Sequence, residues 1–381
     1  MSRLIRNIAV ACLLAAFLVP SVGFAVNFMR GLDDTSVTEK RRLASLPAYD
    51  GDARAYTTAL DDYLEDHFAF RMTLIRLARK IRDNLGENPA NVIYGKDGWL
   101  FLGQIEYRDE FEGNGLWDQK QVNDWVSSLT EVNEALAARN IPFAAFIAID
   151  KARAYPEKLP ADWTESSRRF RSAVYSHPDV DRTGLIDAEP LVMSAKERGH
   201  LVFFLRDTHW TAAGTYELAL EILEKLDPNQ RRLIYIPEPA VEQQASRVYD
   251  LDAMAGFETT QEPPYTMIKY PPSRPNVRTV MHHDEEGNPI RGRMSTLMIL
   301  GTEDATKGRL VIVGDSFGDS MLGHLRRSYS EIVRIHHGAH FFDIGLDEVL
   351  SYEPDAVLFA TAERQAARKA RPFLPLDPED R

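Results

Sequence analysis

The chain has a single cysteine in 381 residues, Cys12, and it lies inside an apolar N-terminal run. Everything downstream is therefore without disulfides, without a thiol nucleophile and without cysteine ligands for a metal. An exported protein can do without cross-links when its core is large, and this length supplies one large domain or two ordinary ones. A basic excess is also missing: 45 Lys and Arg stand against 57 Asp and Glu, a formal charge of -12. That argues against a general nucleic-acid binder, and leaves an acidic polymer only a local basic patch to bind. No internal repeat of solenoid length is visible. Hydrophobic residues at 44% and charged residues at 27% describe a folded globular protein.

What the N-terminus does have is one uncharged run, Ile8 to Val26, bounded by Arg6 and Arg30. Its length is near the ~20 residues needed to span a bilayer as a helix, and the Arg3 and Arg6 flank should stay cytoplasmic. The expectation is a cytoplasmic tail at 1–7 and a signal-anchor at 8–28, holding the rest at the periplasmic face of the inner membrane. The competing reading is a signal peptide cleaved near Gly23-Phe24-Ala25. The anchor is preferred because the run exceeds the usual apolar region of a signal peptide.

Residues 29–90 read as a polar stalk followed by a helix, Ala55 to Leu85, with Leu60, Tyr63, Leu64, Phe68, Leu74, Leu77 and Ile81 as its apolar stripe. Residues 91–381 read as one α/β domain. Val92 to Leu102 suggests a hairpin around Gly95-Lys96-Asp97-Gly98. Lys120 to Arg139 is an amphipathic helix leading into an apolar strand, Ile141 to Ile149. A helix follows around Ser166 to Ser176, then a buried-strand candidate at Leu201 to Leu205, then a helix ending near Leu226. Residues 228–307 are rich in proline and lose helical periodicity, which suggests an insertion of β-hairpins and loops. His282-His283-Asp284-Glu285 lies within it and reads as a solvated hairpin before a metal site. Two more strands, Ile332 to Ile335 and Ala356 to Phe359, flank a short helix at Leu346 to Tyr352. Strand and helix alternate, so the fold class is α/β, with a mostly parallel sheet flanked by helices.

The most informative stretch is Arg309 to Met321, RLVIVGDSFGDSM. Four apolar residues, Leu310 to Val313, make a strand buried on both faces. Gly314 permits a turn, and Ser316 stands where the backbone leaves the sheet and a helix begins, with Phe317, Met321, Leu322 and Leu325 on its inner face. Ligands of open α/β sheets bind at that edge. The Ser316 backbone N–H points there as a candidate oxyanion donor. The plainer alternative is a turn with Asp315 or Ser316 as helix N-cap. A second Gly-Asp-Ser, Gly318 to Ser320, lies about one turn further on, inside the expected helix, so Ser316 is the better nucleophile.

A serine hydroxyl needs a base, and the base needs an orienting group. Asp207 and His209, in Arg206-Asp207-Thr208-His209-Trp210 after the Leu201 run, provide such a pair. The carboxylate can hold Nδ1–H and leave Nε2 free for Ser316. A metal half-site, with His336, His337 and His340 as the other histidines near the edge, and a structural histidine are the alternatives. Arg326, Arg327 and Arg334 are either contacts for an anionic polymer or solvated surface.

Several segments together resemble one family: YLEDHFAFR, VIYGKDGWLFL, KARAYPEKLP, RDTHWTAAG, VIVGDSFGDSM and EPDAVLFATAER. Across residues 39 to 365 the chain is similar to the SGNH-hydrolase-like polysaccharide O-acetyltransferases, the alginate O-acetyltransferase AlgJ/AlgX family. RDTHW and VIVGDSF are the specific pieces, and Asp-His before Ser is that family's circularly permuted motif order. The resemblance implies an SGNH-like domain with Ser316 as nucleophile, His209 as general base and Asp207 as its orienter. No cofactor and no metal are expected; the resemblance implies an exported polysaccharide as substrate and an integral-membrane acyltransferase as acetyl supplier. Lys151, Tyr155, Trp210 and Arg364, at strand ends within the matching segments, are candidate substrate contacts. One departure stands out: no asparagine follows Ser316, so the second oxyanion donor of the wider SGNH pattern has no counterpart. An acetylesterase with the same triad and a non-catalytic polysaccharide-binding subunit of an export complex remain as other readings.

Overall fold

The computed structural model describes residues 46–49, 53–66, 91–227, 239–242, 249–255, 257, 265–268, 277–280, 296–300, 305, 307–336 and 344–375. The expected signal-anchor at 8–28, the second half of the Ala55 to Leu85 helix, the His282 to Glu285 run, His337 and His340 lie outside them. No helix among the described residues is long and apolar enough to cross a membrane. The chain forms two compact units, residues 1–92 with 248–260, and residues 93–247 with 261–381. In the first, helices cover Ala53–Asp66 and Asp250–Ala255.

Ten strands are described, numbered here in chain order: β1 Val92–Tyr94, β2 Leu100–Leu102, β3 Phe143–Ala148, β4 Pro239–Glu242, β5 Tyr265–Ile268, β6 Val277–Val280, β7 Thr296–Leu300, β8 Lys307–Gly314, β9 Tyr329–His336 and β10 Ala356–Ala362. The second unit is built on a six-stranded sheet of order β3-β10-β8-β9-β7-β6. Its β3, β10, β8 and β9 run parallel, β7 is antiparallel to β9, and β6 is antiparallel to β7. Register sets Ala362 beside Ala148, Gly314 beside Ala360 and Gly314 beside His336. The parallel strands thus end side by side.

The four parallel strands are apolar runs because both their faces are covered. Phe143, Ala145, Ile147, Val311, Val313, Val333, Ile335, Val357 and Phe359 point to one face. They meet Val122, Trp125, Val126, Leu129, Val132 and Leu136 from the helix Gln119–Ala137. That helix starts at Asp118, whose carboxylate accepts from the Gln121 N–H at 2.8 Å. Helices Ala188–Glu197 and Ala212–Leu226 pack together and against β3.

The structure corrects the sequence reading at four places. Leu201 to Leu205 is no strand of the sheet. Its backbone partners lie in its own loop, in β2 and in side chains: Phe204 N–H donates to His209 O, Thr211 N–H to Val202 O, Leu100 N–H to Leu205 O, and Val202 N–H to Tyr155 Oη. The helix after Ser316 is two short pieces, Ser316–Asp319 and Leu322–Leu325. Ser320 Oγ donates to Phe317 O at 2.5 Å, and the Met321 N–H that would use that carbonyl goes to Gly318 O. The 228–307 segment is more than an insertion, since it contributes β6 and β7 to the main sheet and separately pairs β4 with β5. Gly314 serves closeness and not a turn: a Cβ there would lie 2.8 Å from Ala360 O on β10.

Candidate active site

Three structural pieces meet at the C-terminal edge of the parallel strands. The first is the bend after β8. Asp315 caps the following turn, accepting from Phe317 N–H at 2.9 Å through one oxygen and from Ala362 N–H at 2.7 Å through the other. The N-cap reading of Gly-Asp-Ser is therefore realised, but by Asp315. Ser316 is left partly exposed, and its hydroxyl has no hydrogen-bond partner among the described residues.

The second piece is the loop carrying Asp207 and His209. Asp207 Oδ1 accepts from the His209 backbone N–H at 3.0 Å and lies 2.6 Å from His209 Nδ1. A carboxylate only accepts, so Nδ1 carries the proton and Nε2 keeps the basic lone pair. Asp207 is buried and His209 is partly exposed, as suits an orienting group behind a working base. The loop folds back on itself through a bridge between Phe203 and Trp210. Lys151 holds it from below, its Nζ donating to Leu100 O at 2.6 Å, Leu205 O at 2.8 Å and Asp207 O at 3.1 Å. Tyr155 packs 4.2 Å from the Trp99 ring and accepts from Val202 N–H at 3.0 Å. Both side chains are buried and bonded to backbone groups, which makes them braces of this loop.

Loop and bend are brought together by aromatic packing. The His209 ring lies 5.6 Å from the ring of Phe317, the residue after Ser316, and Trp210 packs edge-on to the same ring at 5.0 Å. The third piece, the end of β10, closes the other side: the Arg364 guanidinium lies 5.2 Å over Phe317 and is ion-paired with Asp150 at the end of β3. Arg364 N–H also donates to Asp150 Oδ2 at 3.1 Å. Of the expected site residues, then, Asp207, His209, Trp210 and Arg364 gather around the residue next to Ser316, while Lys151 and Tyr155 lie beneath the loop. Arg334 is neither solvated nor turned to a polymer. It is buried on β9 and ion-paired with Asp319.

A charge network that runs from buried Glu363 out to exposed Asp187 supports this edge. Arg169 spans Glu363, by two bonds of 2.9 Å, and Glu189 at 3.0 Å; Arg171 joins Glu189 at 2.6 Å and also Asp187. Arg153 donates to the carbonyls of Glu110, Phe111 and Ser166. Sequence reasoning passed over Asp150, Glu110 and Glu363, because a lone carboxylate at a strand or helix end looks like solvated surface until its partners, distant in sequence, are seen. Buried His324 is 3.0 Å from Thr215 Oγ1, and burial lowers it to about 4, so it is neutral at pH 7.

Glu110 gives a measurable consequence. Burial raises it to about 7 from 4.5, although Phe170 N–H and Trp117 Nε1–H both donate to it. The folded protein therefore keeps this proton at pH values where the unfolded chain has lost it. Its stability contribution is complete below about pH 4.5 and is lost as pH rises through about 7. A displacement of that size corresponds to about 3 kcal/mol. Urea unfolding at pH 5 and pH 8 should show Glu110→Gln losing less stability across the interval than the parent. An equal or steeper loss in the variant would show that the Glu110 proton does not matter.

Against known proteins, residues 92–355 match the sequence profile described as an SGNH hydrolase-like domain, acetyltransferase AlgX. A protein named probable alginate O-acetylase AlgJ from Azotobacter vinelandii is 29% identical over 147 residues, 38% of this chain and 35% of that protein. Its namesake from Pseudomonas aeruginosa is 29% identical over 137 residues, 35% of this chain and 32% of that protein. The matched stretch thus spans about a third of the length of these relatives. Among solved structures, the O-acetyltransferase domain of Pseudomonas putida AlgJ superposes with a TM-score of 0.43 at 18% identity, covering 76% of this chain and 96% of that one. Bacillus cereus PatB1 gives 0.47 at 14%, covering 72% and 96%. Since the profile covers well over half of the residues, the chain belongs to the SGNH hydrolase-like domain family of the acetyltransferase AlgX.

Proposed function

We propose that this protein is a polysaccharide O-acetyltransferase working through an acyl-serine. The observation that carries the reading is the Asp207–His209 couple, 2.6 Å between carboxylate and Nδ1, packed against the residue that follows a partly exposed serine at the sheet edge. Ser316 Oγ attacks the acetyl carbonyl while its proton passes to His209 Nε2. The C–O bond to the donor then breaks, and the departing oxygen takes that proton. In the second half a sugar hydroxyl gives its proton to Nε2 and attacks the acyl-serine; the C–Oγ bond breaks and Ser316 Oγ takes that proton from Nε2. Asp207 holds the ring and stabilises the imidazolium in both halves. Catalytic hydrogen bonds often tighten only when substrate is bound, so the Ser316–His209 bond belongs to the acylating complex. The Ser316 backbone N–H serves as one oxyanion donor.

The acceptor is an exported, hydroxyl-bearing polysaccharide, and the donor side is an integral-membrane acyltransferase. Residues 8–28 anchor the chain so that the domain works in the periplasm. The partial exposure of Ser316 also favours a second reading, an acetylesterase in which water takes the place of the sugar hydroxyl. The full chain incubated with an aryl acetate, with and without deacetylated alginate, separates the two. Ester groups on the recovered polymer are expected. Acetate release with no polymer ester would make it an esterase, and no release at all would make it a non-catalytic subunit.

A further inference from the structure

The proposed reaction leaves the second Gly-Asp-Ser, Gly318 to Ser320, without a task. We infer that Ser320 and Trp210 form a clasp that holds the base-bearing loop in register with the nucleophile bend, which makes both of them positioning residues for acyl transfer. The inference rests on the reading of Ser316 and His209 given above.

The Trp210 indole N–H donates to Ser320 Oγ, and the Ser320 hydroxyl donates in turn to Phe317 O at 2.5 Å. One hydroxyl thus accepts from the loop and donates into the bend. Its proton is directed at a carbonyl and not at His209, so Ser316 remains the assigned nucleophile. Trp210 is 2% exposed and Phe317 fully buried, so the indole N–H is desolvated and would be costly to leave unmet. Around the bond, Trp210 meets Phe203 at 6.2 Å, Phe146 at 5.9 Å and Phe317 at 5.0 Å. These contacts fix the indole plane.

Each partner segment has its own ties to the body of the domain, and the clasp sets one segment against the other. The Ser316–Asp319 helix is a single turn, too short to be stable by its own hydrogen bonds. It is tied to the sheet by the Asp315 cap and the Arg334–Asp319 pair. The loop is tied from below by Lys151. Trp210–Ser320 joins the two segments directly. His209 precedes Trp210 and Ser316 precedes Phe317, so a slip of the clasp moves base and nucleophile against each other, and a misplacement of about 1 Å can cost 10²-fold in rate.

The test uses the full chain and three variants, Trp210→Phe, Ser320→Ala and the double. Turnover of an aryl acetate is measured together with the rate at which an arylsulfonyl fluoride labels Ser316, located by peptide mapping. Each single variant is expected to lower kcat by about tenfold or more with KM unchanged, and to slow Ser316 labelling by a similar factor. The double variant should be no worse than the poorer single one, since both remove the same bond. Ser320→Ala deletes one atom and decides the matter alone if Trp210→Phe fails to fold. Parent-level kcat in Ser320→Ala, a change confined to KM, multiplicative losses in the double variant, or label found on Ser320 would each overturn the clasp while an active, Ser316-labelled parent keeps the triad. A parent that neither turns over nor labels at Ser316 removes the triad, and the clasp with it.

Discussion

Replacing Ser316 by alanine is expected to abolish acyl turnover, by about 10⁴-fold or more, and to leave the fold untouched. The two halves of that expectation have separate physical origins. The serine sits where the backbone leaves β8, but Asp315 performs the capping there, through Phe317 N–H and Ala362 N–H. The hydroxyl supports nothing among the described residues, so its loss should not change the urea midpoint. Chemically the loss follows from the proposal itself, in which Ser316 carries the acyl ester. His209→Ala should fall as far, and the double variant no further, since residues that act in one step do not contribute additively. Asp207→Asn tests the third member. With its Nδ2 in the place of Oδ1, the amide would lose the bond from the His209 backbone and donate to Nδ1, which puts the ring proton on Nε2 and removes its basic lone pair. With its oxygen there, both bonds survive but the negative charge that stabilises the imidazolium is gone. A Ser316→Ala protein that still cleaves an aryl acetate at the parental rate would end the acyl-serine proposal.

Much of this site could be read from residue order alone, and the parts that could not share a cause. The buried parallel strands announce themselves because both faces are apolar, as in Leu310 to Val313 and Ala356 to Phe359. The same apolarity misleads at Leu201 to Leu205. Phe203 is as buried as any strand residue, yet its segment is satisfied by a loop, by β2 and by Tyr155. Hydrophobic runs report burial and do not say where the backbone hydrogen bonds go. In the 277–300 region the expected β-hairpins are present, but their membership of the main sheet is not legible, because the pairing of β7 with β9 joins residues far apart in sequence. Charged residues are the least legible class. Arg334 and Lys151 resemble surface groups until their acceptors, Asp319 on a neighbouring turn and the carbonyls of Leu100, Leu205 and Asp207, are known. Those acceptors lie up to 56 positions away in the case of Lys151.

The largest stability effect is expected at Arg364. Its guanidinium is paired with Asp150, which is 5% exposed at the end of β3, and covers the Phe317 ring at 5.2 Å. Removing one partner of a buried pair costs about 3–5 kcal/mol, mainly because the other charge is left uncompensated. In a domain of this size that corresponds to a fall in Tm of roughly 6–20 °C. The pH dependence identifies the cause. Burial already lifts the Asp150 carboxyl to about 6, against the pull of the guanidinium. A carboxyl raised in the folded state binds its proton more tightly there than in the unfolded chain, so its contribution is complete below about pH 4 and is lost as pH rises through about 6. Without Arg364 the carboxyl rises further and the loss extends to higher pH. Arg364→Met should therefore be most damaging near pH 8 and much less so near pH 5. Adding Asp150→Asn should return part of the stability at pH 8, since the stranded charge is then gone. Urea unfolding of the parent and both variants at the two pH values measures this directly. A loss equal at both pH values and unchanged by Asp150→Asn would mean that Arg364 stabilises the edge by packing on Phe317, and not by neutralising Asp150.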